Sequence, residues 1–380
     1  MKADREEERI VRAAAGAVRH ALAEVAEALG LSVERPSPAV PASADRGLES
    51  WAICQRICEE TIRVTPKDAA RAVELAQLAV RVASRVSEGE DGWRSYVEGW
   101  AWAHLANARR VADDHDGAEK AFAISRRLRA AGTPVAGRLD EGRPLDLEAS
   151  LRRCQRRFPE ALALHDRALR LSRPEGLVYV LLDKAVTFEQ AGSYEKAVET
   201  LTEAARHVGM NSERRLLFGL RFNLAVNRCH LGHWEEAGAL LPELRELAAS
   251  LGNDLDLVRV RWLEGKVAAG MGARGEAIAA LDGVRGAFTE RRLPYDMALA
   301  SLELATLYLE EGRTAEVRGL AEEMLAIFQA QGVLSTARPW RRSSSSTAPP
   351  RADTVTADLA RRLAAFLDRA RHDLRLRFEG

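Results

Sequence analysis

Between roughly residues 47 and 330, apolar side chains recur every three or four positions. Leu302, Ala305 and Leu309 form one such stripe, and Val317, Leu320, Met324 and Ile327 form the next. This spacing places the residues of each stripe on one face of a helix. No segment sustains the period-two alternation of a half-buried strand, so the pattern predicts an all-α chain without a sheet. Short polar breaks separate the stripes, and four of them repeat: Gly192-Ser-Tyr194-Glu-Lys-Ala197, Gly232-His-Trp234-Glu-Glu-Ala237, Gly272-Ala-Arg274-Gly-Glu-Ala277 and Gly312-Arg-Thr314-Ala-Glu-Val317. Their last residues fall at 197, 237, 277 and 317, a period of 40.

Each break has a physical task. The glycine ends a helix, because the position after the last helical residue favours the left-handed conformation that glycine adopts without penalty. The side chain two positions on is expected to wedge between the two helices of its hairpin, and the small residue lets the second helix approach closely. Less regular copies lie upstream at Arg157-Phe158-Pro-Glu-Ala161 and Asp114-His115-Asp-Gly-Ala118, with an earlier unit centred on Ala72.

This pattern resembles the tetratricopeptide (TPR) repeat family, whose signature is a Gly–aromatic pair between antiparallel helices followed by a small residue. The resemblance covers roughly residues 47–330 and implies a right-handed α-α superhelix of about six or seven hairpins. The period of 40 exceeds the roughly 34 residues of the standard repeat. In that respect the chain is similar to the long-repeat arrays of bacterial regulators. The family binds many unrelated partners, so the resemblance speaks to fold more than to function.

The ends differ from the array. Residues 1–33 read as an amphipathic helix, with Ile10, Val11, Ala14, Val18, Leu22, Val25 and Leu29 on one side, followed by a Pro/Ala linker at 34–46. It is expected to be a loosely docked cap or a partner-binding helix. A further first helix is due near 333–350, yet 331–353 carries three prolines and a serine run. Such a segment is either disordered or read out of frame, since GC-rich codons shifted by one base restore an amphipathic helix there. A helical pattern returns in 354–380, through Leu359, Leu363, Phe366, Leu367 and Ala370.

Composition narrows the function classes. The 380 residues are 47% hydrophobic and carry 56 basic and 56 acidic side chains. Zero net charge argues against direct nucleic-acid binding and against a polybasic membrane anchor. No apolar run reaches the roughly 18 residues of a membrane helix, and Met1–Ile10 lacks the apolar region of a signal peptide. Four cysteines do not make a disulfide framework, so a cytoplasmic location with reduced thiols is expected.

Candidate chemistry is sparse. Gly270-Met-Gly272-Ala-Arg-Gly275 matches a dinucleotide fingerprint, but a helix precedes it instead of the strand that chemistry requires. Cys229-His230-x-x-His233 and the pair Cys54, Cys58 do not supply four tetrahedral ligands. Asp113-Asp-His-Asp116 sits in an interhelical turn, where aspartate caps the next helix. No catalytic residue, metal or cofactor is therefore expected. Aligned repeats place Asn107, Arg110, Arg153, Asn223, Arg259, Trp262, Lys266 and Glu303 on the first helices, at positions that face the concave groove. Amides could bond a peptide backbone there, Arg and Lys could meet carboxylates, and Trp262 could anchor an apolar side chain. The full carboxylate clamp of the family is not present. The expected function is a non-enzymatic scaffold binding a protein or peptide partner. The alternative is a sensor module of a bacterial regulatory system that takes a small ligand or signalling partner. An exposed end of the array would favour a homodimer.

Overall fold

The computed structural model describes residues 50–65, 68–86, 92–209 and 212–330. The N-terminal helix, the linker and the irregular segment with its following helix lie outside the described residues. Among the described residues the chain is helical, with no strand. In order the helices are α1 (Ser50–Val64), α2 (Ala69–Ala83), α3 (Trp93–Val111), α4 (His115–Ala131), α5 (Arg143–Cys154), α6 (Phe158–Leu171), α7 (Pro174–Gln190), α8 (Tyr194–Arg206) and α9 (Arg214–His230). There follow α10 (Trp234–Gly238), α11 (Leu241–Leu251), α12 (Asp254–Gly270), α13 (Arg274–Glu290), α14 (Pro294–Glu310) and α15 (Thr314–Ala330). They fall into two compact units. One runs to Leu151 and takes in Ala163–Gly176; the other comprises Arg152–Leu162 and the chain from Leu177.

The 40-residue period is a repeated helix ending. Gly192, Gly232, Gly272 and Gly312 have φ of 75°, 76°, 81° and 74°. At each, the next N–H donates five residues back: Ser193 to Phe188, His233 to Arg228, Ala273 to Ala268 and Arg313 to Tyr308, at 2.8–2.9 Å. The glycine N–H itself donates three residues back. This pairing closes the helix with a left-handed residue and satisfies two orphan carbonyls. The irregular upstream copies use the same closure without glycine. Asp113 and Arg156 take φ of 63° and 57°, and the following N–H groups bond Arg109 and Arg152. A side chain in this region costs about 1–2 kcal/mol.

In the second unit, successive hairpins pack on one another in chain order. Two columns of small residues stand where helices meet, within and between hairpins. Ala197, Ala237 and Ala277 are fully buried on the second helices. Ala185, Ala225, Gly265 and Ala305 form the matching column on the first helices, all buried. A Cβ at Gly265 would stand 2.9 Å from Leu281 Cγ.

At three of the four breaks the side chain two positions after the glycine also reaches the next hairpin, and Trp234 packs against the core of its own hairpin as well. Tyr194 stacks on His230 with ring centroids 4.4 Å apart. Trp234 lies against Gly270, where an added Cβ would sit 2.1 Å from the indole. Arg274 pairs with Glu310 at 3.4 Å. The sequence separation is 36 in each case (230−194, 270−234, 310−274).

The first unit has an aromatic core. Trp93, Tyr96 and Trp100 of α3 pack with Ile53, Cys54, Ile57 and Cys58 of α1. The connection from α4 to α5 is fastened to them. Arg138 lies 5.5 Å from the ring centroids of both Trp51 and Trp93, and Trp100 Nε1 donates to the Asp140 carbonyl at 3.1 Å. Helix α5 carries charge into this interior: Asp146 meets Arg143 at 2.8 Å and His165 at 3.3 Å, and Glu148 accepts from Arg126 at 2.5 Å. His104 is also buried, its ring 4.3 Å from that of Trp100, and neither ring nitrogen has a hydrogen-bond partner. Burial, and secondarily the Arg143 guanidinium, hold its pKa well below the usual histidine value.

Two predictions follow from these packings. Gly270→Ala should lower stability by about 1–3 kcal/mol, because the indole of Trp234 has to move. Gly275→Ala, in the same glycine motif but with nothing within 4 Å, should be neutral or stabilising; urea melts of the two variants test the contrast. A depressed folded-state pKa makes His104 bind its proton more readily when unfolded. Stability is then lost as pH falls below the unfolded value, by about 1 kcal/mol between pH 7 and pH 5.5. His104→Leu should remove that part of the pH dependence in urea melts at the two pH values.

Candidate functional site

The candidate residues stand on first helices of the hairpins, and most of their polar atoms already have partners. In the first unit, Asn107 is only 5% exposed, and its carbonyl oxygen accepts from Arg110 Nη2 at 2.9 Å within α3. This pair is internal to one helix.

The remaining candidates belong to the second unit. Arg153 reaches Asp183 on α7, with Nη1 3.3 Å from the backbone carbonyl and 3.4 Å from Oδ1. Asn223 donates to the Gly219 carbonyl of its own helix at 2.7 Å. Arg259 sits 3.2 Å from the wholly buried Asp256, whose other oxygen lies 2.8 Å from Arg215. Trp262, Lys266 and Glu303 are brought together. Lys266 Nζ stands 4.6 Å from the centroid of the Trp262 ring and 3.0 Å from Glu303 Oε1. The indole face and the carboxylate thus share one ammonium, a cation–π contact combined with an ion pair.

Asn227, passed over in the sequence, and Cys229, weighed there only as a metal ligand, complete this row. Asn227 is fully buried one turn beyond Asn223, and its amide nitrogen donates to Glu189 of α7 at 3.1 Å and to the Asn223 carbonyl at 2.8 Å. Its equivalents at intervals of 40 are Thr187, Val267 and Leu307. An amide in a column otherwise filled by Thr, Val and Leu is the signal that could have identified it. Cys229 is 4% exposed beside Lys266 and Glu303, and burial pushes its thiol up to about 11. It remains a neutral thiol in ordinary buffers.

Three hairpin steps are therefore crossed by polar bridges between first helices: Arg153 to Asp183, Asn227 to Glu189, and Lys266 to Glu303. The other singled-out groups serve local structure. Cys54 Sγ donates to the Ala79 carbonyl at 3.6 Å, and burial raises the Cys58 thiol well above its usual value. His230 stacks on Tyr194, whereas His233 faces Glu236 at 3.7 Å. Asp114 caps α4 by accepting from the Gly117 N–H at 2.9 Å. Among the described residues, no three His, Cys, Asp or Glu side chains converge as a metal site would require, and no helix is long and apolar enough to cross a membrane.

No protein-family model matches the chain, and no curated protein does. Solved structures do resemble it. A Rap protein in complex with competence and sporulation factor superposes with a TM-score of 0.56 at 15% identity, over 73% of this chain and 77% of that one. Aspartyl phosphate phosphatase F from Bacillus subtilis gives 0.53 at 12% identity, over 77% and 74%. A putative kinesin light chain from Podosopora anserina with nearly identical TPR-like repeats gives 0.39 at 17% identity, over 54% and 99%. At these identities the likeness concerns the fold. Together with the repeated helix endings and the small-residue columns, the likeness to the first two gives the chain a TPR-like helical repeat fold.

Proposed function

We propose that the chain is a non-enzymatic interaction scaffold. A peptide or helical segment of a protein partner would lie along the first helices of the second unit, contacting Asn223, Arg259, Trp262, Lys266 and Glu303. The observation that carries this reading is the Trp262–Lys266–Glu303 cluster. Its tryptophan is incompletely buried beside a charged pair in which Lys266 and Glu303 are 21% and 29% exposed. A large flat apolar surface beside reachable polar groups is the usual composition of a binding hot spot. Helical hairpin arrays offer such a surface preformed, so little ordering cost is added on binding.

A second reading is a sensor module of a regulatory system. It is favoured by the Rap structure, which is a complex with competence and sporulation factor. Both readings place recognition on the hairpins and need no catalytic group.

The test is affinity capture from native lysate with the tagged chain, against a variant carrying Arg259→Ser, Trp262→Leu and Lys266→Met. The expected outcome is a protein held by the parent chain and depleted about tenfold or more by the variant, a loss of at least about 1.4 kcal/mol in binding. Equal capture by both, with the variant's helicity and melting temperature intact, would remove the row from the function.

A further inference from the structure

Buried polar atoms in folded proteins nearly always have partners, so those left open indicate what an occupant has to bring. Along the row in the second unit the singled-out cations are already engaged. Arg153 is held by Asp183, Arg259 by Asp256, and Lys266 by Glu303 and the Trp262 face. The open positions on these helices are acceptors. Glu303 Oε2 is buried with no hydrogen-bond partner, and so is Asn227 Oδ1. Two other atoms there lack a hydrogen bond but face opposite charge: Asp256 Oδ2 lies 2.8 Å from Arg215, and Arg228 Nε lies 3.2 Å from Glu236. Among its buried atoms, the unmet capacity on the row is therefore for donors.

Resting on the scaffold reading above, we infer that the row selects a cationic group on the bound segment, an arginine or lysine side chain, with the Glu303 carboxylate as its acceptor and Trp262 as the wall beside its apolar stem. A carboxylate has about four acceptor sites, and Lys266 is the partner that occupies one of them. A second donor completes the carboxylate with a charge-assisted bond and leaves the Lys266 pair intact. An incoming carboxylate does the reverse. It has to draw Lys266 away, which strands Glu303 as an unpaired acid in a half-buried position and sets two like charges together. Glu303 keeps 29% of its side chain exposed, and a small swing of its stem, with the flexible Lys266 ammonium following, presents the carboxylate to an incoming donor while the pair is kept. The long stem of an arginine or lysine suits the tryptophan edge, since such side chains bury their methylenes and keep the charge outward.

The test is selection from a random hexapeptide library displayed on phage, with the full chain immobilised. With the parent chain, recovered sequences should be enriched about tenfold in Arg and Lys over Asp and Glu at one position. Glu303→Gln should abolish that preference, and Glu303→Lys should invert it. Circular dichroism melts confirm that both variants fold. Acidic enrichment, or a basic preference unchanged in Glu303→Gln, overturns the inference. Peptides that bind without charge preference but are lost with Trp262→Leu also overturn it while leaving the scaffold reading standing. Recovery of no binding sequence counts against both.

Discussion

Close approach between packed helices, within a hairpin and from one hairpin to the next, is the constraint on which the rest of the second unit depends. One two-helix hairpin has too little apolar surface to bury its own face, so stability comes from stacking. Stacking at short range requires that something small stand at the point of closest contact. The columns at 197, 237 and 277 and at 185, 225, 265 and 305 supply it, each member buried and none larger than alanine. The glycine endings serve the same geometry, because they turn the chain at once and deliver the second helix to its column. Polar bridges between first helices are set over this framework and depend on it for their distances.

The repeats were legible where the chemistry left no choice. Left-handed helix ends with glycine at 192, 232, 272 and 312 announced themselves by period alone. The same ending at Asp113 and Arg156 was harder to read, because those side chains tolerate the conformation at a cost that neighbouring packing offsets. The reach of Tyr194 and Trp234 into the following hairpin was not foreseen. Sequence shows which residue follows a turn but not which neighbour is near enough to receive it, and that answer required the stacking of the next hairpin.

The candidate site was partly legible. Trp262, Lys266 and Glu303 were selected from aligned helices and do meet. Asn223 was selected for its amide, yet that amide is taken by its own helix, while Asn227 spans to the preceding hairpin. Amphipathic reasoning favours residues on a polar face and overlooks a polar residue in an apolar column, although that is where a hydrogen bond is worth most. The strongly charged α5 is a similar case. Its Asp146 and Glu148 were not singled out in the sequence, and they are buried where Arg143, His165 and Arg126 converge on them.

The forward reach of 36 residues, from Tyr194 to His230, Trp234 to Gly270 and Arg274 to Glu310, gives the array a reading frame of its own. Each hairpin is specified partly by a residue in the hairpin before it. Duplication or loss of a whole 40-residue block returns every such residue to a receptor of the same kind. An insertion of any other length sends a ring toward the wrong turn of the next helix. Growth of the array by block duplication is thus structurally cheap, whereas drift in hairpin length is resisted at every step, and the regularity of the four glycines records that resistance.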